Sequence, residues 1–138
     1  MSVTKIKIRG YHLDLYGHVN NARYLEFLEE ARWHMLESHL DLGEWKKRGY
    51  AFVVVNININ YRHAASLGDI IEIKSVLSQI KTKSAKVHQV ITLTGSNKPV
   101  ADADITFVIV DIHSNKVVPI SGDLRSMFDV FAANTDGA

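Results

Sequence analysis

One helical stretch followed by a series of long alternating stretches is what most limits the folds open to this 138-residue chain. Over residues 21–40, Tyr24, Leu28, Ala31 and Met35 recur at helical spacing, and Leu25, Phe27 and Leu36 widen the apolar stripe. Few polar residues flank it, which predicts a helix buried over most of its circumference. Period-two alternation dominates elsewhere. Ile6 and Ile8 alternate with Lys5, Lys7 and Arg9, predicting a first strand with one solvated face. Residues 51–61 form the strongest strand signal, with Val55, Ile57, Ile59 and Tyr61 read to one face and Val54, Asn56, Asn58 and Asn60 to the other. Further strands are predicted over 71–77, 87–93 and 100–112, the last β-branched and therefore central. Residues 81–84 and 95–99 read as hairpin connections, and 42–49 as a short helix or turn. Leu124, Met127, Phe128 and Phe131 predict a small terminal helix.

These elements make one domain over residues 1–131, with residues 132–138 expected to fray. The fold class is α+β: strand, long helix, a meander of four long strands, and a small helix. A long edge strand invites aggregation unless paired or covered, so the strand after the helix is expected to pair across a dimer.

Charge and composition exclude several classes of function. Sixteen basic and 15 acidic residues give a net charge of +1, without the clustered basic excess that nucleic-acid binding requires. The absence of cysteine removes disulfides, thiolate metal sites and cysteine nucleophiles. Seven histidines are scattered without metal-ligand spacing, so neither a metal nor another cofactor is expected. No secretory segment or membrane-length apolar run is present, which points to the cytoplasm and to no stable membrane association.

The chemistry concentrates in residues 14–21, Asp-Leu-Tyr-Gly-His-Val-Asn-Asn, just ahead of the helix. Asparagine is a preferred helix N-cap, and a helix N-terminus presents oriented N–H donors suited to a developing oxyanion. A carboxylate beside such donors is the minimum equipment for attacking a polarised carbonyl, or for activating water against it. Each of these residues also has a purely structural reading. Asp14 before Gly17 is a common turn acid, Asn20 and Asn21 are natural caps, and His18 is more often a turn residue than a base.

The set Asp14, Gly17, His18, Val19, Asn20 and Tyr24 resembles the signature of hotdog-fold thioesterases of the 4-hydroxybenzoyl-CoA type. The runs at 9–14, 24–33 and 52–62 extend the likeness over nearly the whole chain, toward bacterial long-chain acyl-CoA thioesterases. The resemblance implies a curved five-stranded antiparallel sheet wrapped around a long central helix. It implies a hydrolase acting on medium-to-long-chain acyl-CoA in fatty-acid metabolism, assembled as a dimer and then a dimer of dimers, a homotetramer. By position, Asp14 is the nucleophile or general base and the backbone N–H of Asn21 the oxyanion donor, with His18 a lesser catalytic candidate. Substrate contacts fall on Gly17, Tyr24, Arg62, Lys83 and Ser84. Arg62 suits phosphate but equally suits an edge strand, and lysines in a hairpin are routinely solvated. The alternatives are an acyl-carrier-protein thioesterase and a non-catalytic acyl-CoA-binding module.

Overall fold

The computed structural model describes residues 1–136, with side chains through residue 132. β1 (Ser2–Lys7) leads through a single 3-10 turn (Gly10–His12) into α1 (Asn21–His39) and a short α2 (Leu42–Lys47). The chain continues through β2 (Tyr50–Tyr61), β3 (Ile70–Ile80), β4 (Ala85–Leu93), β5 (Pro99–Asp111), the two-residue β6 (Lys116–Val117) and α3 (Gly122–Asp136). All pairings are antiparallel, in the order β1-β3-β4-β5-β2, with β6 on the remaining length of β5. The result is the α+β hotdog architecture, a sheet curled about α1, with β6 as a minor sixth strand. α3 carries the chain through Asp136, past the domain boundary read at 131; residues 137–138 lie outside the described residues. Among the described residues, no helix is long and apolar enough to cross a membrane.

Three sequence expectations need correction. First, only β3, β4 and β5 form a meander. β2 pairs with β5, from Tyr50 opposite Asp111 to Tyr61 opposite Ala101, and β1 takes the place beside β3. α1 separates β1 from β2 in the chain, and a sheet that closes round this helix places its flanking strands at opposite edges.

Second, β2 carries a register shift between Val54 and Asn56. Val55 is the extra residue, more than half exposed. A bulge of this kind interrupts the alternation, so Val54, opposite the buried Phe107, joins the inner face rather than the asparagine face. Ile57 and Ile59 then resume that inner face, opposite Ile105 and Ala103, and the asparagines face outward.

Third, α1 is buried along one stripe only: Tyr24, Phe27, Leu28, Ala31 and Met35. Leu25 is 38% exposed and Trp33 47%, because the sheet of a single chain covers one side of the helix. The core divides along this stripe. The first half of α1 packs on Ile71, Ile73, Ile91 and Ile105. The second half, from Met35 onward, packs with Trp45, Phe107, Ile109, Phe128 and Phe131.

Candidate active site

The loop between β1 and α1 is built around Asp14. Its backbone N–H donates to the carbonyl of His18 (2.8 Å), and its own carbonyl accepts from Gly17 (3.2 Å). Its carboxylate Oδ1 accepts from the backbone N–H groups of Tyr16 (2.8 Å) and His18 (3.2 Å). Gly17 supplies the positive φ of +76° that closes the loop, a conformation other residues adopt at a cost. The turn role foreseen for Asp14 is therefore real, but it uses one oxygen. Oδ2 accepts no hydrogen bond from the described residues, so the carboxylate is oriented and half available.

The helix start sits against this loop. Asn20 is the N-cap, its side chain accepting from Ala22 N–H at 2.9 Å, and its own N–H donates to the carbonyl of His12 at 2.9 Å. Val19 N–H reaches the carbonyl of Ala65. The first N–H groups of a helix lack intrahelical acceptors. Ala22 and Arg23 are satisfied by Asn20, which leaves the Asn21 N–H with no acceptor among the described residues. A carboxylate oxygen and a helix N–H are thus both open in one short segment.

Tyrosines brace it. The buried Tyr24 hydroxyl accepts from Ala65 N–H at 3.1 Å, and the Tyr24 ring lies 5.7 Å from that of Tyr61. Burial pushes the Tyr24 phenol pKa upward, so it stays protonated at neutral pH. Tyr61, at the end of β2, donates its hydroxyl to the Asn21 carbonyl at 3.1 Å and so ties the sheet edge to the helix start.

His12 lies beneath, buried, with its Nδ1 accepting from Arg9 N–H at 2.8 Å and its ring edge-on to Phe27. Burial, and then the Arg23 cation, lower its pKa and favour neutral imidazole. His18 is exposed, and its ring bonds to none of the described residues.

The remaining candidates separate. Gly17 and Tyr24 belong to the site as described. Arg62 follows Tyr61 but turns to the outer face, where its Nε donates to Asp102 Oδ2 at 2.8 Å. That bond holds the Asp102 carboxyl below the usual carboxylate range. Lys83 and Ser84 lie in the β3–β4 turn, at the end of β3 opposite to Ile70, which pairs with Lys7 near the Asp14 loop. Ten residues of strand separate those ends, about 33 Å along the chain. A single chain does not bring Lys83 and Ser84 to Asp14.

Sequence reading missed a second polar cluster inside the molecule. Arg32 is spaced to pair with Glu29 on the helix, yet its Nη1 donates inward to Gln89 Oε1 at 3.1 Å. The fully buried Gln89 in turn donates Nε2 to the Leu28 carbonyl (3.0 Å) and to Ser75 Oγ (2.9 Å). The available signal was a polar residue at an apolar period: Ser75 between Ile73 and Leu77, and Gln89 between Val87 and Ile91.

Comparison with known proteins gives a consistent result. Residues 8–128 match the family model described as the thioesterase-like superfamily. The chain is 54% identical over 127 residues to the long-chain acyl-CoA thioesterase FadM of Escherichia coli, covering 91% of this chain and 96% of that protein. It is 26% identical over 133 residues to the chloroplastic acyl-acyl carrier protein thioesterase ATL3 of Arabidopsis thaliana, covering 96% of this chain and 70% of that one. Among solved structures, the probable thioesterase YbaW of Escherichia coli superposes with a TM-score of 0.89 at 52% identity, over 96% of this chain and 99% of that one.

Proposed function

The chain belongs to the thioesterase-like superfamily and is an acyl-CoA thioester hydrolase; from that premise we propose that it releases medium-to-long-chain fatty acids, with Asp14 as its nucleophile or general base. The observation carrying this reading is the pairing of an oriented Asp14 carboxylate, one oxygen uncommitted, with the unpaired Asn21 N–H at the start of α1.

Two routes share that geometry. In one, Asp14 Oδ2 attacks the thioester carbonyl, the tetrahedral oxyanion accepts from Asn21 N–H, CoA leaves as thiolate, and water opens the resulting anhydride. In the other, Oδ2 takes a proton from water as the water attacks, with the same donor at the oxyanion. Both depend on donors already in place where charge develops, the term that usually dominates such catalysis. His18, exposed in the same loop, is a candidate donor of the proton that CoA takes up. That the Escherichia coli relative is a long-chain acyl-CoA thioesterase, and that the inner face of α1 is apolar along its length, support an extended acyl chain as substrate.

The active form is a homo-oligomer, and two features support this. Among the described residues β2 pairs on one side only, with β5, leaving its other edge free and Val53, Val54, Val55 and Ile57 exposed. The site itself is open: Leu15 is 92% and Tyr16 80% exposed, whereas oxyanion stabilisation gains most where water is excluded. A second copy across β2 supplies both the missing pairing and a cover, and Lys83 and Ser84 then meet CoA only from another subunit. Arg62 contacts a CoA phosphate only by sharing or leaving Asp102.

The second reading, an acyl-carrier-protein thioesterase, is favoured by the similarity to the chloroplastic enzyme. Free-thiol release from acyl-CoAs of graded chain length, alongside acyl-carrier-protein thioesters, tests both. Turnover that rises with chain length on CoA esters and collapses in Asp14→Asn is the expected result. Intact turnover in Asp14→Asn would remove the mechanism, and release from carrier-protein esters alone would transfer the assignment to the second reading.

A further inference from the structure

An N–H donor helps an oxyanion only when it points the right way, and the first turn of a helix holds direction least well. Helix ends fray, and the first N–H groups have no intrahelical acceptor to hold them. The peptide groups on either side of Asn21 govern where its N–H points. Ahead of it, the Asn20 carbonyl accepts from Arg23 N–H at 2.9 Å. Behind it, the peptide joining Asn21 to Ala22 is held at both ends. Its N–H donates to Asn20 Oδ1 at 2.9 Å, and its carbonyl accepts from the Tyr61 hydroxyl at 3.1 Å.

These bonds differ in what they anchor to. Asn20, Ala22 and Arg23 are neighbours at the helix start, so bonds among them move with it. Tyr61 is the last residue of β2, forty residues away in the chain, and stands in the sheet opposite Ala101. The next two residues fix that strand end: Arg62 N–H and His63 N–H both donate to the Val100 carbonyl, at 2.8 and 3.1 Å. The Tyr61 ring lies 5.7 Å from that of the buried Tyr24. Four residues on, the Ala65 carbonyl accepts from Val19 N–H, and Ala65 N–H donates to the Tyr24 hydroxyl. A braced strand end thus delivers the Tyr61 hydroxyl to the residue whose own N–H is open.

We propose that Tyr61 is a positioning residue for thioester hydrolysis: its hydroxyl, donated from the sheet edge to the Asn21 carbonyl, holds the oxyanion donor in its working direction. This inference rests on the Asn21 N–H being that donor, as proposed above. Tyr61 acts through Asn21 and needs no contact with the substrate. Its effect falls on kcat, because a misdirected donor weakens the transition state and leaves the bound ester unaffected. A reacting group misplaced by about 1 Å can cost about 10²-fold in rate. Losing one of several bonds around Asn21 is a smaller disturbance, and about tenfold is expected.

Tyr61→Phe removes the hydroxyl and keeps the ring against Tyr24. Thiol release from a long-chain acyl-CoA is measured where circular dichroism shows wild type and variants fully folded. In Tyr61→Phe, kcat should fall about tenfold with KM within about twofold of wild type. Tm should stay within about 4 °C, since a half-exposed hydrogen bond adds little to stability. The loss should vanish in an Asn21→Pro background, which has no N–H left to direct, so Asn21→Pro and Asn21→Pro/Tyr61→Phe should turn over alike. Unchanged kcat in Tyr61→Phe overturns the proposal. So does a rise in KM alone, which makes Tyr61 a substrate contact, and so does a tenfold loss that persists in the Asn21→Pro background. Each of those results leaves the oxyanion reading standing as long as Asn21→Pro is itself slow. An Asn21→Pro enzyme as active as wild type would sink both together.

Discussion

At the N-terminal end of α1, the bonds that build the Asp14 loop and the helix cap are short in sequence: Asp14 to Tyr16 and His18, and Asn20 to Ala22, reach no more than four residues. In the second half of α1, Arg32 reaches Gln89 across 57 residues, and Gln89 returns to Leu28 across 61. The first region is exposed and its donors and acceptors are left partly open; the second is buried and nearly closed. Local hydrogen bonding can preorganise reactive groups at a surface. An interior polar group instead needs the whole sheet in register to find its partners, because an unpaired polar group in the core is costly.

Substitutions should expose this difference by moving turnover at one end of the helix and stability at the other. The largest effect is expected from Asp14→Asn. Loss of the acid–base or nucleophilic group should lower thiol release by about 10²–10⁴-fold, with the circular dichroism spectrum preserved. Next is Asn21→Pro, which deletes one backbone N–H at the first helical position, where proline is tolerated. It should lower kcat by about 10²–10³-fold with little change in Tm, while Asn21→Ala, which keeps the N–H, retains activity. An active Asn21→Pro would place the oxyanion donor elsewhere.

Gln89→Leu acts on the other region. It strands Arg32 and the Ser75 hydroxyl, and should cost about 2 kcal/mol in chemical denaturation. Asn20→Ala removes the helix cap and should cost about 1 kcal/mol by the same measurement.

The smallest effect is a pH dependence at His12, beneath the helix start. Burial depresses the folded-state pKa of His12 below its ordinary value of 6.5, so the folded protein favours neutral imidazole. That contribution is fully present above pH 6.5 and is lost as pH falls toward the lowered folded value. Tm should therefore decline on acidification through this window, and His12→Asn should decline less. Equal slopes would show that His12 is not the group being protonated.

The same division explains what could be read before folding. The Asp14 loop, the Asn20 cap and the position of α1 were legible because turn and cap chemistry acts over a few residues. The family signature lies in that same local stretch. The resemblance implies that Lys83 and Ser84 share a substrate with Asp14, yet one chain sets them at the far end of β3. Nothing in a hairpin's composition states which end of a sheet it occupies. Helical spacing alone would pair Arg32 with Glu29. Its actual partner emerges only when β4 is laid beneath α1.

By itself, the sequence determined the element types, the α+β class and the chemistry at the mouth of α1, since periodicity and short-range hydrogen bonds act within neighbouring residues. Tertiary structure alone decided that β2 lies beside β5, that a bulge turns Val54 inward, and that Arg32 reaches Gln89 on β4. Those outcomes depend on which residue stands opposite across the sheet. That pairing is settled by packing the whole core, not by any one segment.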